Sequence, residues 1–108
     1  MPLIEIPVSR ITDWESFHDV WASTLGFPSF YGRNMDAWID CLTYVDEGDG
    51  MSNVVVADGD VLTLRLDEGK AFRDRCPDLY AATVECAAFV NWRRLETGRR
   101  AIIAVAFA

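Results

Sequence analysis

Two aspartates, Asp36 and Asp40, lie four residues apart in the stretch FYGRNMDAWIDCL, residues 30–42. On a helix this spacing places two carboxylates side by side on one face, where like charges cost roughly a few tenths of a kcal/mol. Such a pair can serve as the acid and nucleophile of a glycosidase, as ligands of a metal cation, as contacts for a cationic partner, or as an ordinary solvated helix face. The neighbouring residues have to discriminate among these four roles.

Neither catalysis nor metal binding finds support around the two aspartates. A retaining glycosidase needs carboxylates about 5 Å apart across a cleft, with one of them desolvated, whereas Asp36 and Asp40 would share one exposed helix face. A metal site would need more oxygen ligands, and DEGDG at 46–50 resembles a cation-binding loop only loosely. His18 and Cys41 could pair as base and nucleophile, but no third orienting group and no standard catalytic motif accompanies them. We therefore expect no enzyme activity, no cofactor and no metal.

The helix that carries the two aspartates is predicted from its apolar period. Asn34 is a suitable N-cap, and the helix is expected to run to about Val45. One face of this helix is apolar and comprises Met35, Trp38, Ile39, Leu42 and Val45. Asp36, Asp40 and Thr43 fall on the other face.

Aromatic residues next to the acids favour a binding surface. Phe30 and Tyr31 lie in the preceding loop, where both cannot easily belong to the core. Ile39 borders the acidic face, and Tyr44 follows it. Aromatic side chains beside charges on a capped helix are typical of protein-binding hot spots. The pattern alone leaves two interpretations, a solvated polar face and a partner-binding surface, and solvated faces are the more common of the two.

The remaining elements alternate between strands and helices, which predicts an α/β domain with a small parallel sheet and crossover helices. The predicted order is strand 3–8, helix 14–25, loop 27–33, helix 35–45, strand 61–66, helix 68–75, helix 77–96 and strand 101–107. The last run, AIIAVAF, is typical of a central strand that is buried on both faces. Asp58-Gly59 between β-branched runs indicates a hairpin over 53–66, so an additional antiparallel strand is expected near 53–56.

The composition limits the partners and the location of the chain. The length of 108 residues fits a single domain over 1–108. Seventeen acidic against 10 basic residues give a net charge of −7, which argues against nucleic acid as a ligand and is compatible with a basic protein partner. The N-terminus carries neither a secretion signal nor a membrane-spanning run, and three cysteines form no C-x-x-C pair. We therefore expect a cytoplasmic protein without membrane contact.

Four arginines cluster around the end of the last predicted helix, and they are Arg93, Arg94, Arg99 and Arg100. Positive charge near a helix C-terminus is favourable, and this explanation is sufficient for the cluster.

Residues 28–43, PSFYGRNMDAWIDCLT, resemble the signature loop and second helix of the barstar family, the intracellular inhibitors of barnase-type ribonucleases. The shared pattern is Y-G-x-N-hydrophobic-D-A-x-x-D-C-L, which joins a loop glycine, a helix cap and both acids in one register. The resemblance implies a three-stranded parallel sheet with flanking helices. It also implies an inhibitor that plugs the ribonuclease active site, with its acids in the place of the RNA phosphate.

The same resemblance implies roles for individual residues. Asp40 would be the central anchor and Asp36 the second acid. Gly32 and Asn34 would shape and cap the docking loop, and Phe30 would pack against the catalytic base of the enzyme. The remaining partner-binding residues that the resemblance implies are Tyr31, Met35, Ile39, Thr43 and Tyr44.

Four positions depart from the family pattern and leave the identity of the partner open. Phe30 lacks the hydroxyl group of the tyrosine that is common there, and Ile39 replaces a frequent tryptophan. An additional contact acid of the family would fall near Asn91, which is uncharged. Arg33 adds a positive charge that could pair with either aspartate.

The sequence therefore predicts a ribonuclease inhibitor of barstar type that binds a basic extracellular or toxin ribonuclease 1:1, as an immunity protein or antitoxin. The alternative is an interaction or regulatory module that keeps the barstar fold but binds a protein other than a nuclease.

Overall fold

A three-stranded parallel sheet lies at the centre of the computed structural model, which describes residues 2–48, 51–57 and 59–108. The strands are β1 (Leu3–Ile6), β2 (Leu62–Leu66) and β3 (Ile103–Phe107), in the spatial order β1-β2-β3. Leu3 pairs with Thr63 in the first ladder, and Leu62 pairs with Ile103 in the second. Parallel strands require long crossover connections, and helices supply them here.

Four α-helices in the described part of the chain connect and flank the strands. They are α1 (Trp14–Leu25) and α2 (Met35–Thr43) between β1 and β2, and α3 (Gly69–Arg75) and α4 (Pro77–Glu96) between β2 and β3. A short 3-10 helix occupies Val8–Arg10, so the first strand ends before Val8. The predicted α/β class with a three-stranded parallel sheet and flanking helices is thereby confirmed. Among the described residues, no helix is both long and apolar enough to cross a bilayer.

The two helices nearest the acidic motif are joined through aromatic side chains. Trp21 of α1 and Trp38 of α2 are fully buried, and their rings meet edge to face with centroids 5.2 Å apart. Large buried aromatic side chains contribute strongly to hydrophobic stabilisation. Because α2 is anchored through the face that carries Trp38, its opposite face with Asp36 and Asp40 remains accessible.

The additional strand predicted near 53–56 is not formed. Its expected partner β2 already has β1 and β3 on its two edges, so no edge is open for a further strand. The backbone of this segment bonds instead to the end of α1 and to the turn after α2. Asn53 N donates to Leu25 O at 2.8 Å, and Val56 N donates to Val45 O at 2.9 Å. Asp58, which belongs to the predicted hairpin turn, lies outside the described residues.

The turn after α1 shows how closely this segment packs. Gly26 has a φ of 66°, in the left-handed region that favours glycine. A Cβ atom at Gly26 would clash with the side chain of Asn53, so a larger residue would have to displace that side chain.

The last strand lies at the edge of the sheet. The prediction of a central strand from the apolar run 101–107 is therefore wrong. The central strand is β2, in which Leu62, Leu64 and Leu66 are fully buried. β3 is covered by α4 on one face, and its residues 104–106 are half-buried. In this chain the continuous apolar run is explained by the packing of a helix against the strand. It does not indicate where the strand lies within the sheet.

Candidate partner-binding site

The loop between α1 and α2 is tied back to α1 by Tyr31. The phenol of Tyr31 and Nδ1 of His18 form a hydrogen bond of 2.6 Å, and the ring of Phe27 lies 4.8 Å from that of Tyr31. Burial lowers the pKa of His18, with a further contribution from the Arg33 charge, and burial raises the pKa of Tyr31. Both groups are therefore neutral at pH 7, and the loop is held by a neutral hydrogen bond.

Arg33 strengthens the same attachment and does not pair with the acids of α2. Its guanidinium lies 2.8 Å from Asp19 Oδ1 and donates to Glu15 O at 3.0 Å, both on α1. The prediction that Arg33 could pair with Asp36 or Asp40 is therefore wrong. The backbone of Arg33 itself lies in the left-handed region, with a φ of 54°. Gly32 is an exposed position without a positive φ.

Asn34 caps α2 as predicted. Its Oδ1 accepts a hydrogen bond from Ala37 N at 2.8 Å, and its Nδ2 donates to Gly32 O at 3.4 Å. Asp36 lies in the first turn of α2 and is exposed. Negative charge is favoured at this end of a helix, so the position of Asp36 is electrostatically favourable.

Asp40 lies one turn further along and contacts a cation from α4. Nη1 of Arg93 is 2.7 Å from Oδ1 of Asp40, and the two side chains keep 38% and 49% of their exposure. Hydrogen bonding to Asp40, and less strongly to Tyr44, raises the pKa of Arg93. In the sequence Arg93 was interpreted only as favourable charge at the end of a helix. The sequence pattern does not show how α2 packs against α4. This packing brings together Asp40 and Arg93, which are 53 positions apart.

Phe30 is the most exposed aromatic residue near the acids, with 74% of its surface accessible. It borders a pocket of about 210 Å³ that is also lined by Tyr31, Gly32 and Asp40. Tyr44 lies one turn beyond Asp40 and is half-buried beneath the guanidinium of Arg99, which stands 5.6 Å from the ring centre. We call the surface formed by Phe30, Asp36, Asp40 and Tyr44 the acidic surface.

Two residues that were predicted to contact a partner lie beneath this surface. Thr43 is 3% exposed, and its hydroxyl donates to Ile39 O at 2.6 Å within α2. Ile39 is 9% exposed and belongs to the core. The sequence placed Thr43 on the outer face of the helix, but α4 covers that position, because Arg94 donates to Thr43 O at 2.7 Å. Met35, by contrast, is half-buried at the start of α2.

Asn91 does not face the acids either. Its Oδ1 accepts from the backbone N–H groups of Ile102 and Ile103, each at 2.9 Å, and its Nδ2 donates to Ile103 O at 2.8 Å. Asn91 therefore holds α4 to the start of β3. The residue of α4 that contacts Asp40 is Arg93, a cation two positions further along the helix.

The residues considered for catalysis and metal binding have other surroundings in the structure. Cys41 and His18 are 1% and 5% exposed, and Nδ1 of His18 is hydrogen-bonded to Tyr31. No group of three or more His, Cys, Asp or Glu side chains is placed to hold a metal ion among the described residues. Within DEGDG, Asp46 pairs with Arg94, while residues 49 and 50 lie outside the described residues.

A family model described as Barstar (barnase inhibitor) matches residues 1–104 of the 108 residues. The match includes all four residues of the acidic surface and also Arg93. No curated protein matches the chain at a significant level.

Proposed function

Because the chain belongs to the Barstar (barnase inhibitor) family, we propose that it inhibits a basic ribonuclease of the barnase type. The family is one of inhibitors and not of enzymes. The observation that carries the proposal is the position of Asp40. This residue is half-exposed on the outer face of α2 and also lines the pocket beside Phe30. The acidic surface would cover the active site of the ribonuclease in a 1:1 complex.

The mechanism rests on charge that is fixed before the partner arrives. Asp36 and Asp40 are on a capped helix whose other face is buried, so their separation is set by the fold. A ribonuclease active site carries cations that bind RNA phosphate, and two carboxylates can satisfy those cations in its place. Phe30 adds an exposed aromatic ring that can be buried on binding, and aromatic side chains are enriched at binding hot spots.

The location and the biological use of the inhibitor belong to the same proposal. The host would keep the protein in the cytoplasm, where it neutralises either the host's own ribonuclease before secretion or a toxin ribonuclease from outside. In the second case the protein is an immunity protein or antitoxin.

Substitution of Asp40 tests the proposal. We expect Asp40→Ala to abolish inhibition of barnase in a fluorogenic RNA cleavage assay, because the exposed acid contributes to binding and not to the core. Truncation of one partner of a charge pair that becomes buried costs about 2–5 kcal/mol, a range for which barnase complexes are themselves the reference case. Asp74→Ala is the matched control, since it removes an exposed carboxylate from α3 that pairs with Lys70. Undiminished inhibition by Asp40→Ala, with unfolding midpoints unchanged, would refute the assigned surface.

One observation favours a second candidate function. The Arg93–Asp40 contact partly neutralises the central acid, which is compatible with an interaction or regulatory module that binds a protein other than a nuclease. Affinity capture from the native host separates the two functions. Recovery of a small basic ribonuclease supports inhibition, and recovery of a non-nuclease protein supports the alternative.

A further inference from the structure

The central acid of the acidic surface already has an intramolecular cation. Nη1 of Arg93 donates to Oδ1 of Asp40 at 2.7 Å, and both side chains remain partly exposed to solvent. A partner that contacts Asp40 therefore also comes close to Arg93. The contact is a product of the tertiary fold, because it joins α2 to α4.

A partner that offers only cations would gain little binding energy at Asp40. A cation close to Asp40 would also be close to the Arg93 guanidinium, and interactions between charges a few ångströms apart are strong where water is excluded. Moving Arg93 aside would break its hydrogen bond to Asp40 and its contact with Tyr44. The attraction of the partner's cation to Asp40 and its repulsion by Arg93 would then largely cancel.

An acidic group on the partner removes this conflict. A guanidinium has five N–H donors, and the bond to Asp40 uses one of them, so Arg93 can bind a second carboxylate without releasing the first. Building on the proposed function, we infer that Arg93 determines specificity: the acidic surface selects a basic ribonuclease that presents an acidic side chain to Arg93, next to the cations that face Asp36 and Asp40. Discrimination would arise as much from repulsion of the wrong partner as from attraction of the right one.

The geometry also indicates how the two partner charges are arranged. Asp40 lines the pocket beside Phe30 and Gly32 and also contacts Arg93, which belongs to α4. The cation of the partner would approach Asp40 from the side of this pocket. Its acidic group would lie on the side of α4, where the Arg93 side chain is still 38% exposed.

A double-mutant analysis with purified barnase as the probe tests this inference. Dissociation constants are measured for the wild-type protein, Arg93→Gln and Arg93→Lys against barnase variants. In these variants either one native acid near the active-site cleft is changed to Ala or one neighbouring residue is changed to Glu. We expect that an acid at one position of barnase makes the wild type and Arg93→Lys bind about tenfold more tightly than Arg93→Gln. Against barnase without an acid at that position, Arg93→Gln should bind about tenfold more tightly than the wild type.

Controls separate specificity from charge and folding. Arg73→Gln removes the same charge from α3, outside the acidic surface, and is expected to change affinity by less than about twofold. Urea unfolding of Arg93→Gln and Arg93→Lys identifies any loss of fold. The inference is overturned if no acidic barnase position, native or introduced, couples to residue 93 by more than twofold while the wild type binds. If neither the wild type nor any residue 93 variant binds any barnase variant, the proposed function fails, and the inference fails with it.

Discussion

Arg93 and Arg94 are consecutive in α4, yet their guanidinium groups serve different purposes. Arg93 contacts Asp40 at the surface, whereas Arg94 is 4% exposed. Arg94 donates to Thr43 O and to Arg100 O, both at 2.7 Å, and forms two bonds with the carboxylate of Asp46. It thereby links the end of α2, the end of α4 and the approach to β3. A helix turns by about 100° per residue, so neighbouring residues of identical type can face the interior and the solvent.

At this scale we predict that Asp46→Asn destabilises the protein by about 3 kcal/mol, because it leaves the buried Arg94 charge without its carboxylate. Bonding to Arg94 lowers the pKa of Asp46 below its ordinary value of 3.8. The ion pair therefore stabilises the fold above about pH 4 and loses its contribution as the pH falls through the lowered pKa. Urea unfolding at pH 7 and at decreasing pH measures both effects. Asp60→Asn, which removes a partly buried carboxylate next to β2, is the control, and an equal loss in the two variants would contradict the prediction.

The loop between α1 and α2 is an element whose conformation is set by its attachment to α1. Tyr31 bonds to His18, and Arg33 bonds to Asp19 and Glu15. These contacts fix the loop before a partner binds, so less conformational entropy is lost on binding. Phe30 belongs to the same loop and is exposed.

For this element we predict that Tyr31→Phe weakens binding of barnase through its dissociation rate. Removing the hydroxyl group leaves Nδ1 of the buried His18 without its bond, which should lower the free energy of unfolding by about 1–2 kcal/mol. A looser loop should raise the dissociation rate about three- to tenfold and leave the association rate nearly unchanged. Stopped-flow and surface-binding kinetics measure these rates. Tyr80→Phe removes the same hydroxyl group from α4 and should leave both rates unchanged, so equal effects of the two variants would argue against a role of the loop attachment.

The elements also show which features were accessible from the sequence. Apolar periodicity, the Asn34 cap and the Pro77 start predicted the helices, because these signals are local. The location of Thr43 and the pairing of Arg93 could not be obtained in this way, since both depend on how α2 packs against α4. The prediction of an extra strand near 53–56 was wrong for a similar reason. Local β-branched residues cannot reveal that both edges of β2 are already occupied.

Across the whole molecule, many of the basic residues form ion pairs with acids of the same chain. Beside α2 and the turn that follows it, Arg93 pairs with Asp40, Arg94 with Asp46 and Arg99 with Glu47. The net charge of −7 is therefore carried by acids outside these pairs, and the exposed Asp36 of α2 is one of them. A surplus of one sign generates a long-range field that attracts a basic partner before the two surfaces meet.

We predict from this charge balance that association with barnase is steered electrostatically. Raising NaCl from about 0.05 M to 0.5 M shortens the Debye length to a few ångströms and should reduce the association rate constant by about tenfold. The dissociation rate should change much less, because contacts in a closed interface are poorly screened. Stopped-flow fluorescence over a salt series measures both constants. Asp36→Asn should flatten the dependence of the association rate on salt, whereas Asp74→Asn, a charge change on α3, should alter it only slightly. An association rate that does not depend on salt would show that the acidic charge does not guide the encounter.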